Sequence, residues 1–262
     1  MKIIDAHLHI GQPGVFFSPE TTPEQLLAGM DRLGIGAAIC TDHLSLGRGC
    51  AGFLAGLRDV FERSGGRIFY FGVYHPGYSD ACLRAMTEAV DWPGFAGIKI
   101  HPSFHRVPAD DPSYEPVWRF AAERDLPMMT HSWSVSDYNP VQQLSVPARF
   151  ETYVQAFPAV RFVLGHVGGR GREQADAIRM ARDYPNVYVD IAGDVYCHRL
   201  IERLAAAIPE KVLFGSDYPW LDLRSNFSRI LLADIDTETK QKMLCDNAQA
   251  VYRLDISALK AL

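Results

Sequence analysis

The first apolar run of the chain reads Ile3-Ile4-Asp5-Ala6-His7-Leu8-His9. Residues two apart in a strand share a face, so Asp5, His7 and His9 point one way and Ile4, Ala6 and Leu8 the other. Two imidazoles one pleat apart can reach one ion. Ionisable side chains also close later apolar runs: Lys99 and His101 in GIKIHP, His131 in PMMTHSW, His166 in FVLGHVGG and Asp217 in VLFGSDYPW. Imidazole and carboxylate are good donors for a borderline divalent ion such as zinc, and three or four of them with one position open make a catalytic site. Such an ion lowers the pKa of its bound water from 15.7 toward about 7, and Asp217 is placed to accept that proton and pass it to a leaving group. Each residue alone has a plainer reading. A strand-end His is more often hydrogen-bonded structure than ligand, and Asp217 after Gly-Ser can cap a helix. Five runs that all end in a metal-capable or cationic group are poorly explained that way.

These side chains need a scaffold that gathers strand ends. The runs KIIDAHLHI, GAAICT, RIFYFGVY, FAGIKIH, LPMMTHS, VRFVLGH, NVYVDIA and KVLFGSD recur about every thirty residues, the size of one βαβ unit. Near-continuous apolar strands suit a parallel sheet covered on both faces. Between them lie segments of helical period, such as SYEPVWRFAAERD, EQADAIRMARDY and HRLIERLAAAI. Thr22-Pro23-Glu24-Gln25 reads as a helix start, and Gly34 as its end. Eight strands alternating with eight helices predict a single (β/α)8 barrel with its site at the C-terminal strand ends. In that barrel the apolar face of the first strand would turn outward and the histidines inward. An open doubly wound sheet is the runner-up, but no G-x-G-x-x-G follows an early strand. The final segment TETKQKMLCDNAQAVYRL reads as a helix packed against the barrel.

Composition narrows the partners. With 26 Lys+Arg against 31 Asp+Glu, the net charge is −5, and no basic cluster supports nucleic-acid binding. No apolar stretch is long enough to span a bilayer, and MKIIDAHLHIG does not read as a signal peptide. The five cysteines, Cys40, Cys50, Cys82, Cys197 and Cys245, are odd in number and scattered, which points to free thiols and a cytoplasmic protein.

The motifs D-x-H-x-H, G-x-K-x-H-P, a His after the fifth strand, G-H-x-G-G and G-S-D-x-P, in that order, resemble the amidohydrolase superfamily. The branch they are most similar to is the amidohydrolase-2 (amidohydrolase-related) group, which includes amino-carboxymuconate-semialdehyde decarboxylase. The resemblance implies one TIM-barrel domain over residues 1–262. It implies His7, His9 and His131 as metal ligands, with Asp217 a further ligand or proton carrier and His166 beside the reacting group. It also singles out Lys99. A carboxylated lysine would bridge two ions, whereas a free ammonium would bind a substrate anion. We expect the free lysine, facing the barrel mouth, and one ion, zinc. His101, Trp133 and Arg170 are further expected substrate contacts; Trp220, His75 and Arg172 are also expected to shape the pocket. His43, His105 and His198 have no partner in the pattern and are read as surface or structural.

The expected reaction is hydrolysis of an amide, ester or lactone of a small carboxylate-bearing molecule by metal-activated water. A metal-dependent decarboxylase of the same branch is the alternative. A barrel with a purely structural metal is disfavoured, because no cysteine accompanies the histidines. Neither nucleic acid nor membrane is expected as a partner, and a homo-oligomer is left open.

Overall fold

A computed structural model describes residues 2–11 and 21–256. Eight strands run in chain order: β1 (Ile4–Ile10), β2 (Ala37–Asp42), β3 (Ile68–Val73), β4 (Phe95–Ile100), β5 (Met128–Thr130), β6 (Phe162–Leu164), β7 (Val187–Asp190) and β8 (Val212–Leu213). Each pairs in parallel with the next. The ring closes beyond β8, where backbone N–H groups of Ala6 and Asp217 donate to Phe214 and His7 carbonyls at 2.9 Å, and that of His9 donates to Tyr218 at 2.6 Å. One main helix follows each strand: α1 (Pro23–Leu33), α2 (Leu54–Arg63), α3 (Ser79–Ala89), α4 (Glu115–Glu123), α5 (Glu151–Ala156), α6 (Gly171–Asp183), α7 (Leu200–Ala207) and α8 (Leu223–Leu232). This is the (β/α)8 barrel expected from the alternation.

The local signals act as read. The Thr22 hydroxyl accepts from the Gln25 N–H at 3.2 Å, and the Gln25 side chain accepts from the Thr22 N–H at 3.0 Å. These bonds satisfy two donors that the helix start would otherwise leave open. Gly34 ends α1 at φ 70°, a conformation glycine adopts without steric cost.

Two apolar layers sort the strand residues. Alternate residues such as Ala38, Cys40, Ile68, Tyr70, Ile98 and Ile100 pack outward with helix residues including Leu26, Met30 and Met86. Ala37, Ile39, Phe69, Phe71, Met129, Val163 and Leu213 form a separate inner cluster. A final helical stretch covers Thr237–Gln241, the π-wound Lys242–Asp246 and Asn247–Tyr252. Its Ala248, Val251 and Tyr252 join the inner cluster, plugging the barrel at the starts of the strands.

The reading of β1 is corrected here. Its register on β2 shifts between Asp5 and Leu8, the signature of a bulge. Ile4 and Ala6 consequently lie in the inner cluster, while Leu8 lies in the outer one. Asp5 is fully buried and ties the closure together, its Oδ1 accepting from the N–H of Ser216 at 3.0 Å and of His7 at 3.3 Å.

Candidate metal centre and active site

Donor atoms of His7, His9 and Asp217 lie within 4.8 Å of one another at the C-terminal end of the barrel. His7 Nε2 is 4.0 Å and His9 Nε2 3.5 Å from Asp217 Oδ1. Ligand atoms about 2.1 Å from a tetrahedral ion stand about 3.4 Å apart, so this group needs little adjustment to hold one. Backbone geometry puts the third donor there. Asp217 has φ 62°, a left-handed conformation that Asp tolerates better than most residues. Strands β6 and β8 close on His7 through glycine. A Cβ on Gly165 would fall 2.5 Å from the Thr130 carbonyl oxygen, and one on Gly215 would fall 2.8 Å from the His7 Cβ.

A second group, His7, His166 and Asp190, shares His7. Asp190 Oδ2 accepts from His7 Nδ1 at 2.9 Å, and its Oδ1 accepts from the N–H of His166 at 2.8 Å and of Ala192 at 3.0 Å. A carboxylate on Nδ1 holds the proton there and leaves Nε2 as a lone-pair donor, the usual arrangement behind a ligating histidine. Asp190 was not recognised in the sequence. It ends β7 as the other site residues end their strands, so the same strand-end rule would have found it.

Burial sets the protonation. It pushes His9 down to about 3, His131 to about 3 and His166 to about 4, and holds His7 and His101 well below the usual imidazole range. Neutral imidazoles are the ligand form. Burial also raises Asp217 and Asp190 above the ordinary carboxylate range. The Nδ1 atoms of His9 and His166 are buried without a hydrogen-bond partner. The donor chemistry and the spacing of His7, His9 and Asp217 fit a divalent ion.

Several expected residues are placed differently. Lys99 reaches the site, its ammonium against a candidate ligand atom. It is fully buried, with Nζ 3.0 Å from His7 Nε2 and 3.6 Å from Met129 Sδ, and desolvation pulls it down to about 8. The inward face of β4 carries its long side chain into the barrel against His7. His131 stands outside the donor group: its Nε2 meets Gln142 Oε1 at 2.9 Å and its Nδ1 meets His166 Nε2 at 3.0 Å. Gln142 sits on a turn in the long β5–α5 connection, where nothing in the sequence marked it. The His101 ring stacks on His131 at 4.1 Å, and its Nδ1 faces the Phe104 N–H and the Ser103 hydroxyl, each at 3.3 Å. Trp133 packs against His131 and His166, at 6.2 and 5.2 Å between rings. Arg170 is exposed and bound to Asp194 at 2.8 Å. Arg172 is exposed as well, whereas His43, read as surface or structural, is buried beside His9 with 4.7 Å between rings.

The amidohydrolase family model matches residues 4–254, and the chain belongs to that family. No curated protein matches the sequence. Among solved structures, the chain resembles 2,6-dihydroxybenzoate decarboxylase from Rhizobium, with 16% identity, a TM-score of 0.77, and coverage of 97% of this chain and 99% of that one. It resembles 5-carboxyvanillate decarboxylase from Novosphingobium aromaticivorans, complexed with manganese and 4-hydroxy-3-methoxy-5-nitrobenzoic acid. That match has 16% identity, a TM-score of 0.77, and coverage of 97% and 96%. A third is dihydroxybenzoic acid decarboxylase from Polaromonas sp. JS666, with bound manganese and the inhibitor 2-nitroresorcinol. It has 15% identity, a TM-score of 0.75, and coverage of 97% and 97%. These neighbours correct the expected hydrolysis: all three are decarboxylases, and the two metal-bound ones hold manganese where the sequence suggested zinc. Among the described residues, no helix is long and apolar enough to cross a membrane.

Proposed function

We propose that the protein is a metal-dependent, non-oxidative decarboxylase of a small hydroxylated aromatic carboxylate. The observation that carries this reading is the group of His7, His9 and Asp217 donors at the open end of a barrel whose similar structures perform that reaction. His7, His9 and Asp217 would hold one divalent ion. Imidazole and carboxylate suit manganese as well as zinc. When bound, the ion supplies Lewis acidity that fixes the substrate's oxygens and draws electron density toward them.

The chain's own groups do the rest. Asp190 fixes the His7 tautomer. Trp133 offers a flat apolar wall to an aromatic ring. His131 and His166 form a neutral hydrogen-bonded pair beside His7. Asp217, through a carboxylate oxygen, carries a proton to the ring carbon that bears the carboxylate. That carbon gains a C–H bond as its C–C bond to the carboxylate breaks. An arenecarboxylate and a proton thus become an arene and carbon dioxide.

The test is incubation of the manganese-loaded and zinc-loaded protein with a panel of 2- and 4-hydroxybenzoates. Carbon dioxide release with accumulation of the phenol is the expected result. No carbon dioxide from any member, by protein shown to contain one ion per chain, would overturn the reading.

A further inference from the structure

The inner face of β2 and of the residue after it carries two polar groups left without a partner among the described residues. Ala37 and Ile39 lie in the inner apolar cluster, while Ala38 and Cys40 lie in the outer one. The inward face therefore continues through Thr41 and His43. The ladder extends to His43, whose N–H donates to the Ile10 carbonyl at 3.1 Å. Thr41 is the register partner of His9 and is fully buried; His43 is 5% exposed. The Thr41 Oγ1 and the His43 Nδ1 are both buried without a hydrogen-bond partner. The His43 ring is held between two others, 4.7 Å from His9 and 4.7 Å from Trp220.

Leaving one such atom unpaired costs about 1–3 kcal/mol, so two on one face, next to a proposed metal ligand, call for an external partner. We propose that Thr41 and His43 form a subsite that binds a phenolic hydroxyl of the substrate while its carboxylate end lies toward His7, His9 and Asp217. This deepens the decarboxylase reading and rests on it. A hydroxyl both donates and accepts, and so does threonine, while a neutral imidazole nitrogen does one or the other. A phenol oxygen can therefore pair with either group. An aliphatic or unsubstituted aryl carboxylate cannot.

The probes are 4-hydroxy-3-methoxy-5-nitrobenzoate and its counterpart without the hydroxyl, 3-methoxy-5-nitrobenzoate. Each is titrated calorimetrically into manganese-loaded wild type, Thr41→Val and His43→Gln. Wild type should prefer the hydroxylated compound by about tenfold or more, as one to two hydrogen bonds supply. Each variant should lose most of that preference, bind the other compound within about twofold of wild type, and keep one manganese per chain. Should one variant fail to give a cooperative melting transition, the other decides. A preference retained in every folded variant overturns the subsite. If neither compound binds manganese-loaded wild type, the aromatic-carboxylate reading fails, and the subsite with it.

Discussion

Replacing Asp190 by Asn removes one charge while keeping the side chain's shape. The carboxylate receives three donors, His7 Nδ1–H on one oxygen and the N–H groups of His166 and Ala192 on the other. An amide has one acceptor oxygen and one NH2, so it cannot serve all three. If the NH2 faces His7, the ring must accept at Nδ1. The proton then moves to Nε2, the atom that would bind the ion. If the NH2 faces the backbone instead, two hydrogen bonds of about 1 kcal/mol each are lost, and the turn carrying His166 is pushed outward. That turn already holds His166 at φ 61° and Val167 at φ 44°, conformations that cost of order 1–3 kcal/mol. Altering a carboxylate behind a ligating histidine typically costs 10–100-fold in metal affinity. We expect Asp190→Asn to weaken manganese binding by that factor, about 1.4–2.7 kcal/mol, and to lower the melting temperature of the metal-free protein. Calorimetric titration with manganese measures the first effect and thermal melting the second. Metal affinity within twofold of wild type would refute the link between Asp190, the His7 tautomer and the ion.

Asp217→Asn should keep the melting temperature within a few degrees yet lower turnover by at least about 10²-fold, because an amide cannot carry a proton; activity within tenfold of wild type removes Asp217 from that role. Lys99→Met should raise metal affinity about tenfold at pH 7. The ammonium sits on the lone pair of His7 Nε2, and expelling its proton one unit below its value of about 8 costs about 1.4 kcal/mol. Titrating the variant with manganese checks this, and an unchanged or weaker affinity counts against competition between lysine and ion. Asp222→Ala should destabilise the fold by about 1 kcal/mol at pH 7, since its carboxylate caps α8 through the Arg224 N–H at 2.8 Å. The Arg224 guanidinium, foremost, lowers the Asp222 carboxyl to about 2. Its contribution is therefore present above the ordinary range near 3.8 and is lost as pH falls toward 2. Melting of the two proteins at pH 7 and below pH 3 should show the gap closing.

The sequence by itself determined the barrel. A two-residue period in the strands and a 3.6-residue period between them are local properties, and eight repeats leave one economical closure. Because every strand runs the same way, residues at strand ends converge. That is why His7, His9, His131, His166 and Asp217 could be read as neighbours from their positions alone. Tertiary structure decided what each side chain touches. The β1 bulge, invisible in an alternation of apolar and polar residues, set which neighbours of His7 face inward. Lys99 and His101 lie two apart at the end of β4, yet packing buries the Lys99 ammonium against His7 Nε2 while the His101 ring stacks on His131. His131 met Gln142 because a long loop folded back over β5, and Arg170 met Asp194 instead of the site. The unpartnered atoms of Thr41 and His43 appear only when all neighbouring strands are present, since a missing hydrogen bond is a property of the packed surroundings and of no single residue.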